Sequence, residues 1–307
     1  MPKTQTLKLK TIGFVVKKSS PEASQFAVEL AHFAVSKKIK VLFADELDPS
    51  ACSLLKPLEK KAGAYIGFIP KPKLVDTCDL IIVLGGDGTY LSIARLMKTS
   101  SVPVMGINMG QLGFLTEIKK SEALQTLQEI VRGKAFPISE RALLEVTLER
   151  KGKKIFQGPV VNDAVISKGA IARIIGMQVA VNGQWAHTVR ADGIIVSTPT
   201  GSTAYSLAAG GPIIEPSLGA IVMTPICPHS LTQRPLVLSD QSEVQICLNH
   251  RPGHVLLTLD GQDAVDMKEG DIVTVRRFKK HSLKLISSAS RDYFSLLREK
   301  LKFGMRD

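Results

Sequence analysis

The 307-residue chain carries 40 lysines and arginines against 28 aspartates and glutamates, and its net charge of +12 favours an anionic ligand such as a nucleotide or nucleic acid. Its basic residues fall in short groups without a matching row of aromatic side chains, which argues against nucleic acid as a partner. No C-x-x-C pair, membrane-length apolar run or secretory signal is present, so we expect a cytoplasmic protein without a zinc motif or a membrane partner.

Short apolar runs alternate with helical patterns over the first 135 residues or so. The continuous run Leu80–Leu84 is typical of a central parallel strand. Alternating strands and helices indicate an α/β domain, with a parallel sheet covered by helices. The predicted strands are Thr11–Val16, Val41–Ala44, Leu80–Leu84 and Val102–Ile107, and the predicted helices start at Ser20-Pro21, include Tyr90–Met97, and cover Glu122–Val131 up to Gly133.

From about residue 136 the hydrophobic period changes to two, which predicts an all-β, antiparallel domain. Asn182-Gly183 and Asp260-Gly261 are strong hairpin signals within it. Tyr293, Leu297 and Leu301 then return to helical spacing, and we expect this C-terminal helix to pack on the first domain. The predicted domains are therefore residues 1–135, residues 136–285 and the C-terminal helix in residues 286–307.

The sharpest motif is GGDGT at residues 85–89, between an apolar strand and a helix. Ligands of open α/β sheets bind beyond the carboxyl ends of the strands, and a helix N-terminus favours phosphate. We therefore predict a phosphate loop in which Thr89 caps the helix. Asp87 would repel phosphate unless it holds a metal ion or accepts a proton, so its presence favours chemistry over a simple turn. The predicted phosphate-loop residues are Gly85, Gly86, Gly88 and Thr89.

Two further polar clusters lie in the second half of the chain. Asn162 and Asp163 place an amide beside a carboxylate, which suits an adenine edge and ribose hydroxyls but is also common in turns. Residues 192–212 read DGIIVSTPTGSTAYSLAAGGP, where small residues allow close approach, hydroxyls hydrogen-bond and Tyr205 offers a ring for stacking. Both clusters favour a polar ligand.

At these residues the chain resembles the NAD kinase family. The matching blocks are GGDGT, GINMGQLGFLTE at 106–117, VNDAVIS at 161–167, the 192–212 segment and TPICPHSLTQRPLVL at 224–238. They follow the family's order over most of the chain, although GGDGT alone also occurs in lipid kinases and phosphofructokinases. The resemblance implies phosphoryl transfer from ATP or polyphosphate to the adenosine ribose 2′-hydroxyl of NAD, giving NADP. It also implies a divalent metal, usually magnesium, and a homodimer or homotetramer with NAD bound near domain and subunit boundaries.

The resemblance also assigns residues by position. Asp87 corresponds to the catalytic aspartate with Gly88 beside it, and Asn162 and Asp163 correspond to the Asn–acid pair that contacts the dinucleotide. Ser92 stands where many members carry a basic residue. The metal ligands are left open, with donor phosphates and Asp87 as candidates. The other dinucleotide-binding positions implied are Arg173, Arg190, Asp192, Thr203, Ala204, Tyr205, Ser206, Leu207, Ala208 and Gln262.

Two alternative functions compete with this interpretation. A lipid kinase sharing GGDGT would need an apolar acceptor site or a membrane-facing surface, and the sequence indicates neither. A non-catalytic NAD-binding sensor would not need Asp87. The chain also lacks both G-x-x-x-x-G-K-[ST] and a G-x-G-x-x-G after its first strand, which disfavours P-loop proteins and classical dehydrogenases.

Overall fold

The computed structural model describes residues 3–45, 53–56, 65–97, 100–169, 173–250 and 253–302. The chain divides into two compact units, one of residues 1–140 with 283–307 and one of residues 141–282. The predicted fold class is confirmed, because the first unit has a mostly parallel sheet with helices and the second has antiparallel sheets. Across the described residues we find no helix both long and apolar enough to cross a membrane.

The first unit is built on one sheet with helices around it. Its strands are β1 (Lys3–Gln5), β2 (Thr11–Val16), β3 (Lys40–Ala44), β4 (Ile66–Ile69), β5 (Leu80–Gly85), β6 (Val104–Asn108), β7 (Ile118–Lys119), β8 (Phe136–Arg141) and the late strand β21 (Leu283–Ile286). Its helices are α1 (Pro21–Ser36), α2 (Lys71–Thr77), α3 (Asp87–Ala94), α4 (Lys120–Val131) and, after β21, α6 (Tyr293–Leu301).

The order of these strands identifies the edge at which a ligand is expected. The order is β1-β8-β21-β6-β5-β2-β3-β4, with β7 beside β6. From β2 the chain runs outward through β3 to β4, then returns to β5 on the other side of β2 and continues to β6. The winding therefore reverses between β2 and β5, and open α/β sheets bind ligands beyond the carboxyl ends of such strands. The GGDGT segment begins at the end of β5, at this edge.

Helices cover both faces of the sheet because successive strand residues point to opposite sides. Phe14 of β2 and Ile82 of β5 share a core with apolar residues of α1 and α4. Gly13 faces the opposite side, where a Cβ would lie 2.9 Å from Cys78 Sγ and 3.2 Å from Leu74 of α2. The glycine thus lets α2 approach β2 closely.

Local signals set the ends of two helices as predicted. The Ser20 hydroxyl accepts the backbone N–H of Ala23 at 3.4 Å, and Pro21 occupies the first helical position of α1. Two residues after α4, Gly133 adopts φ +75°, the left-handed conformation that ends helices.

The second unit consists of two antiparallel sheets that share one core. One sheet has the order β10-β9-β20-β17-β12-β13, and the other has the order β16-β15-β14-β11-β18-β19. Met177 and Ile246 of the first sheet and Ile194 and Leu257 of the second belong to the same buried cluster. The strands are β9 (Leu144–Arg150), β10 (Lys153–Val160), β11 (Asp163–Lys168), β12 (Ile175–Val181), β13 (Gln184–Ala191), β14 (Gly193–Ser197), β15 (Ala220–Ile226), β16 (Leu236–Ser239), β17 (Val244–His250), β18 (Val255–Leu259), β19 (Asp263–Met267) and β20 (Ile272–Arg277). Between β14 and β15 lie the 3₁₀ turn Thr200–Thr203 and the short helix α5 (Tyr205–Ala208).

Both predicted hairpin turns form. Asn182 and Gly183 have φ values of +52° and +75° between β12 and β13, and Asp260 and Gly261 have values of +50° and +63° between β18 and β19. Positive φ at both central residues is the type I′ pattern that matches strand twist.

The strands β8 and β21 belong to the sheet of the first unit, although the sequence analysis placed residues 136–285 in the β domain. A period of two shows that one face of a strand is buried, but it does not show which sheet the strand joins.

The C-terminal helix α6 clusters with the first unit, as the predicted fold class states. Asp292 and Ser295 form a capping box at its start. Just before it, the Arg291 guanidinium donates to the Glu122 carboxylate at 2.8 Å and to the carbonyl of Glu117 at 2.6 Å. These bonds attach the segment before α6 to the segment that carries α4.

Replacing the buried carboxylate of Asp271 should destabilise the second unit. This fully buried side chain accepts hydrogen bonds from Arg150 at 2.9 and 2.8 Å and from the backbone N–H of Lys268 at 2.8 Å. Burial alone would raise the pKa of Asp271, but the bonds from Arg150 and Lys268 outweigh it and hold the pKa below its ordinary value. Breaking a buried ion pair costs about 3–5 kcal/mol, and we expect Asp271→Asn to fall near the lower end because Arg150 is partly exposed.

The measurement is urea unfolding at neutral pH. Glu129→Gln, which breaks an exposed pair with Lys134, is the control and should change stability by less than about 1 kcal/mol. Equal losses in the two variants would contradict the structural role of Asp271.

Candidate active site

The GGDGT segment joins β5 to α3. The helix begins at Asp87 with Gly86 at the N-cap and without a capping side chain, so the prediction that Thr89 caps it is wrong. A Cβ on Gly85 would lie 2.5 Å from the Thr89 hydroxyl, whereas a Cβ on Gly86 or Gly88 would meet nothing within 4 Å. The backbone of Gly86 and Gly88 is therefore open to a ligand at the N-terminus of a helix, which favours an anion.

The carboxylate of Asp87 is engaged by a neighbouring loop. Its Oδ2 accepts the backbone N–H of Phe114 at 2.9 Å, and its Oδ1 accepts the N–H groups of Leu115 and Thr116 and the Thr116 hydroxyl, each at 3.1 Å. The Lys300 ammonium lies 3.8 Å from Oδ2. Asp87 thus fixes the position of this loop beside the GGDGT segment.

Gly113 makes this contact possible, since a Cβ there would lie 2.0 Å from Asp87 Oδ1. Asn108, at the end of β6, bonds to the carbonyl of Gln111 and to the Thr116 hydroxyl, so it holds the same loop from its other end. Sequence reasoning missed this arrangement. The sequence feature that could have indicated it is the glycine-rich GINMGQLGFLTE block, which the sequence analysis used only as a match to the family.

A cavity of about 390 Å³ in the second unit collects four of the predicted dinucleotide residues. Asn162 and Asp163 come from the start of β11, and Ala204 and Tyr205 come from the start of α5. The ring of Tyr205 is about half exposed, as a stacking surface requires. The remaining lining residues are Val165, Ser167, Thr258, Asp260 and Gly261.

Close backbone packing brings these two segments together. The carbonyl of Asn162 accepts the N–H of Thr198 at 2.9 Å, and the Thr198 hydroxyl donates to the carbonyl of Val161 at 2.6 Å. A Cβ on Gly201 would lie 2.1 Å from the carbonyl oxygen of Asn162. Small and hydroxyl residues of the 192–212 segment are therefore needed for this packing, in addition to any contact they make with a ligand.

Asp163 is buried at the cavity, and its environment is unusual for a carboxylate. Burial, with a further contribution from the charge of Asp260, raises the pKa of Asp163 from 3.8 to about 7. Within the described part of the chain, no group donates a hydrogen bond to this carboxyl. A donor supplied by a ligand would therefore satisfy it.

The other predicted dinucleotide residues do not line this cavity. Ser206 is fully buried and bonds to the Thr224 hydroxyl at 2.8 Å, and Asp192 pairs with Lys168 at 2.8 Å. The Thr203 hydroxyl donates to a backbone carbonyl. Arg173, Arg190, Ala208 and Gln262 are exposed, and Leu207 is half-buried.

A second cavity, of about 660 Å³, lies in the first unit near the carboxyl end of β6. Asn108 and Met109 line it together with Phe26, which is near the start of α1. Two ion pairs border it, Lys120 with Glu22 at 2.8 Å and Lys119 with Glu299 at 3.0 Å. Its basic side chains are thus already neutralised within the chain.

Two family models match the chain. The model of the ATP-NAD kinase N-terminal domain covers residues 12–135, and that of the ATP-NAD kinase C-terminal domain covers residues 161–288. The chain belongs to the NAD kinase family. The enzymatic function predicted from its motifs, that of an NAD kinase, is confirmed, and neither the lipid-kinase nor the sensor alternative finds support.

Similar proteins agree with this membership. The NAD kinase of Geobacter sulfurreducens is 49% identical over 81% of this chain and 87% of its own length, and that of Geotalea daltonii is 42% identical over 97% and 100%. The crystal structure of a yeast NADH kinase complexed with NADH has a TM-score of 0.87 at 27% identity, covering 97% of this chain and 89% of that one. An NAD kinase from Archaeoglobus fulgidus in complex with ATP shares the fold, with a TM-score of 0.69 at 23% identity over 94% and 99%.

Asp163→Asn should change how stability depends on pH. The raised pKa means that the folded chain keeps the Asp163 proton to a higher pH than the unfolded chain does. Stability contributed by this group is complete below about pH 4 and is lost as pH rises towards about 7, whereas Asn does not titrate. The Tm of Asp163→Asn minus the Tm of the wild type should therefore be more positive at pH 8 than at pH 5. The measurement is calorimetry without nucleotide. A Tm difference independent of pH would contradict the burial of this carboxyl.

Proposed function

We propose that the chain transfers the terminal phosphoryl group of ATP to the adenosine ribose 2′-hydroxyl of NAD. A bond forms between the 2′-oxygen and the γ-phosphorus, the bond from the γ-phosphorus to the β,γ-bridging oxygen breaks, and ADP, NADP and a proton are released. The observation that carries this proposal is the cavity that gathers Asn162, Asp163, Ala204 and Tyr205 from segments about forty residues apart. Family membership supplies the reaction class, and each unit supplies one part of the machinery.

The donor phosphates are assigned to the GGDGT segment. The uncovered backbone of Gly86 and Gly88 and the N-terminus of α3 supply N–H groups and a partial positive charge. Phosphoryl transfer depends mainly on such positioning and on neutralising charge.

A divalent metal fits this site only as an ion held largely by the donor phosphates. Within the described residues, no three His, Cys, Asp or Glu side chains lie close enough to hold a metal ion. Magnesium is often bound by one carboxylate together with substrate phosphates, and Asp87 is the carboxylate in this loop. When bound, the metal neutralises charge on the donor.

The geometry favours an orienting role for Asp87 over proton abstraction. Both of its oxygens already accept hydrogen bonds from the loop of Phe114 to Thr116. We propose that Asp87 holds this loop and, with its remaining acceptor capacity, orients the 2′-hydroxyl. Such orientation supplies part of the barrier reduction without a shift of a proton to the carboxylate.

The NAD-binding cavity offers two kinds of contact. The half-exposed ring of Tyr205 can stack on a base. The carboxyl of Asp163 and the amide of Asn162 can bond to ribose hydroxyls or to an adenine edge. The use of polyphosphate as a donor, a cytoplasmic location and a homodimer or homotetramer stay predictions.

The purified protein should produce NADP from NAD and ATP in the presence of magnesium, as read by an NADP-specific dehydrogenase. Replacing ATP with polyphosphate measures the donor range in the same assay. Excess chelator should abolish turnover, and added magnesium should restore it. No NADP with either donor would refute the proposal, and full turnover in chelator would refute the role of the metal.

Asp87→Asn should reduce kcat by at least about a hundredfold with a smaller change in the KM for NAD, because orientation of the acceptor matters most in the transition state. The control is Thr116→Val, which removes one hydrogen bond to Asp87 and leaves its charge in place. Because Asn also replaces one acceptor of the loop, hydrogen exchange at residues 114–116 is measured in both variants. A fall in kcat that follows the exchange rate in both variants would mean that Asp87 only holds the loop. Saturating magnesium is needed in both assays, since Asp87 is also a candidate metal ligand.

A further inference from the structure

Asp260 is the most highly bonded carboxylate at the NAD-binding cavity, and the sequence analysis treated it only as a turn residue. Its Oδ2 accepts the backbone N–H of Val161 at 2.8 Å, and its Oδ1 accepts the N–H groups of Asn162 at 2.7 Å and Asp163 at 3.0 Å. In return, its own N–H donates to the carbonyl of Asp163 at 3.0 Å. Asp260 is 6% exposed and lines the same cavity.

These bonds fall on the residues just before and at the start of β11. The ladder of β11 with β18 begins at Ala164, so the N–H groups of Val161 and Asn162 lie beyond it. Buried backbone N–H groups need acceptors, and bonds to a charged carboxylate are stronger than bonds between neutral groups. Asp260 thus fixes the backbone from which the side chains of Asn162 and Asp163 reach the cavity.

We infer that Asp260 is a positioning residue of the dinucleotide site, holding Asn162 and Asp163 in place to bind NAD. The inference rests on the proposed function, which assigns this cavity to NAD. Both oxygens of Asp260 accept backbone N–H groups, so we assign it a positioning role and not a catalytic one.

The charge of Asp260 also affects the pKa of Asp163, because the two residues are bonded through their backbones and both are buried. Burial is the larger cause of the raised pKa of Asp163, and the charge of Asp260 is the second cause. The other titratable groups on the described neighbouring elements include Asp263 and Asp266 on β19 and Tyr205 on α5. Asp192 is paired with Lys168 at the opposite end of β11. An ionised Asp163 accepts hydrogen bonds from ribose hydroxyls, so NAD affinity should rise as pH passes through about 7.

The test compares Asp260→Asn with the wild type. Asn tolerates the positive φ of this position and keeps the size of the side chain, but it loses the charge and one acceptor. We expect NAD to bind about tenfold more weakly at pH 8 by calorimetry, with KM for NAD raised more than kcat is lowered. The pH midpoint of NAD affinity should also move down, because removal of the negative charge lowers the pKa of Asp163.

Two variants separate positioning from a general loss of structure. Asp240→Asn removes a carboxylate that is equally buried in the same unit but pairs with Arg277. It should leave the pH midpoint of NAD affinity unchanged. In an Asp163→Asn background the titration itself should disappear, and Asp260→Asn should then weaken binding without any shift of midpoint. An unmoved midpoint in Asp260→Asn, or an equal shift in Asp240→Asn, would overturn the inference.

The free protein supplies readouts that do not depend on NAD. Hydrogen exchange at residues 161–163 should accelerate in Asp260→Asn, and the carboxyl carbon of Asp163 should titrate at lower pH by NMR. If these changes occur but the wild type binds no NAD, the proposed function fails while the link from Asp260 to Asp163 stands. If NAD binds and neither change occurs, the inference fails while the proposed function stands.

Discussion

One interaction recurs at three strand ends of this chain, namely a carboxylate that accepts two or three backbone N–H groups. Asp79 accepts the N–H groups of Lys10 and Thr11 at the start of β2, both at 2.8 Å. Asp87 does the same for the loop of Phe114 to Thr116, and Asp260 does so for residues 161–163. Backbone groups at strand ends lack ladder partners, and a single carboxylate satisfies two or three of them at once.

This use of aspartate gives the two parts of the machinery a common construction. In the first unit, Asp87 begins α3 and also holds the loop beside the GGDGT backbone, to which we assign the donor phosphates. In the second unit, Asp260 forms a hairpin turn and also holds the residues that point into the cavity. A negative charge is therefore placed close to each candidate site for architectural reasons. In the second unit, burial and then the charge of Asp260 raise the pKa of Asp163.

Patterns of short range were enough to predict the α/β unit, the β unit and the hairpin turns. The run Leu80–Leu84 and the cap at Ser20 are local features, because neighbouring residues determine them. Membership of β8 and β21 in the first sheet depends on pairing between residues far apart, which periodicity does not contain. The predicted cap at Thr89 was wrong because Gly86 takes that place and leaves Thr89 packed against Gly85.

Candidate site residues could be predicted from the sequence where the chemistry of the side chain indicates a kind of ligand. Asn162, Asp163 and Tyr205 were predicted in this way, because amides, carboxylates and rings have recognisable uses, and all three line one cavity. The supporting contacts of Asp87 and Asp260 were not, since acceptance of backbone N–H groups by Asp is compatible with almost any surrounding sequence. Gly113 and Gly201 were visible as glycines, but the partners that require them lie far away in sequence.

The two type I′ turns have different consequences for the engineering of this chain. Asn182-Gly183 and Asp260-Gly261 look equivalent in sequence and have similar positive φ values. At the first, the side chain accepts one backbone N–H, that of Glu243, on an exposed part of the sheet, so a longer grafted loop would disturb little beyond that strand end. At the second, an insertion would remove the acceptor of three N–H groups at the cavity. Tags, linkers and circular permutation sites therefore belong at Asn182-Gly183.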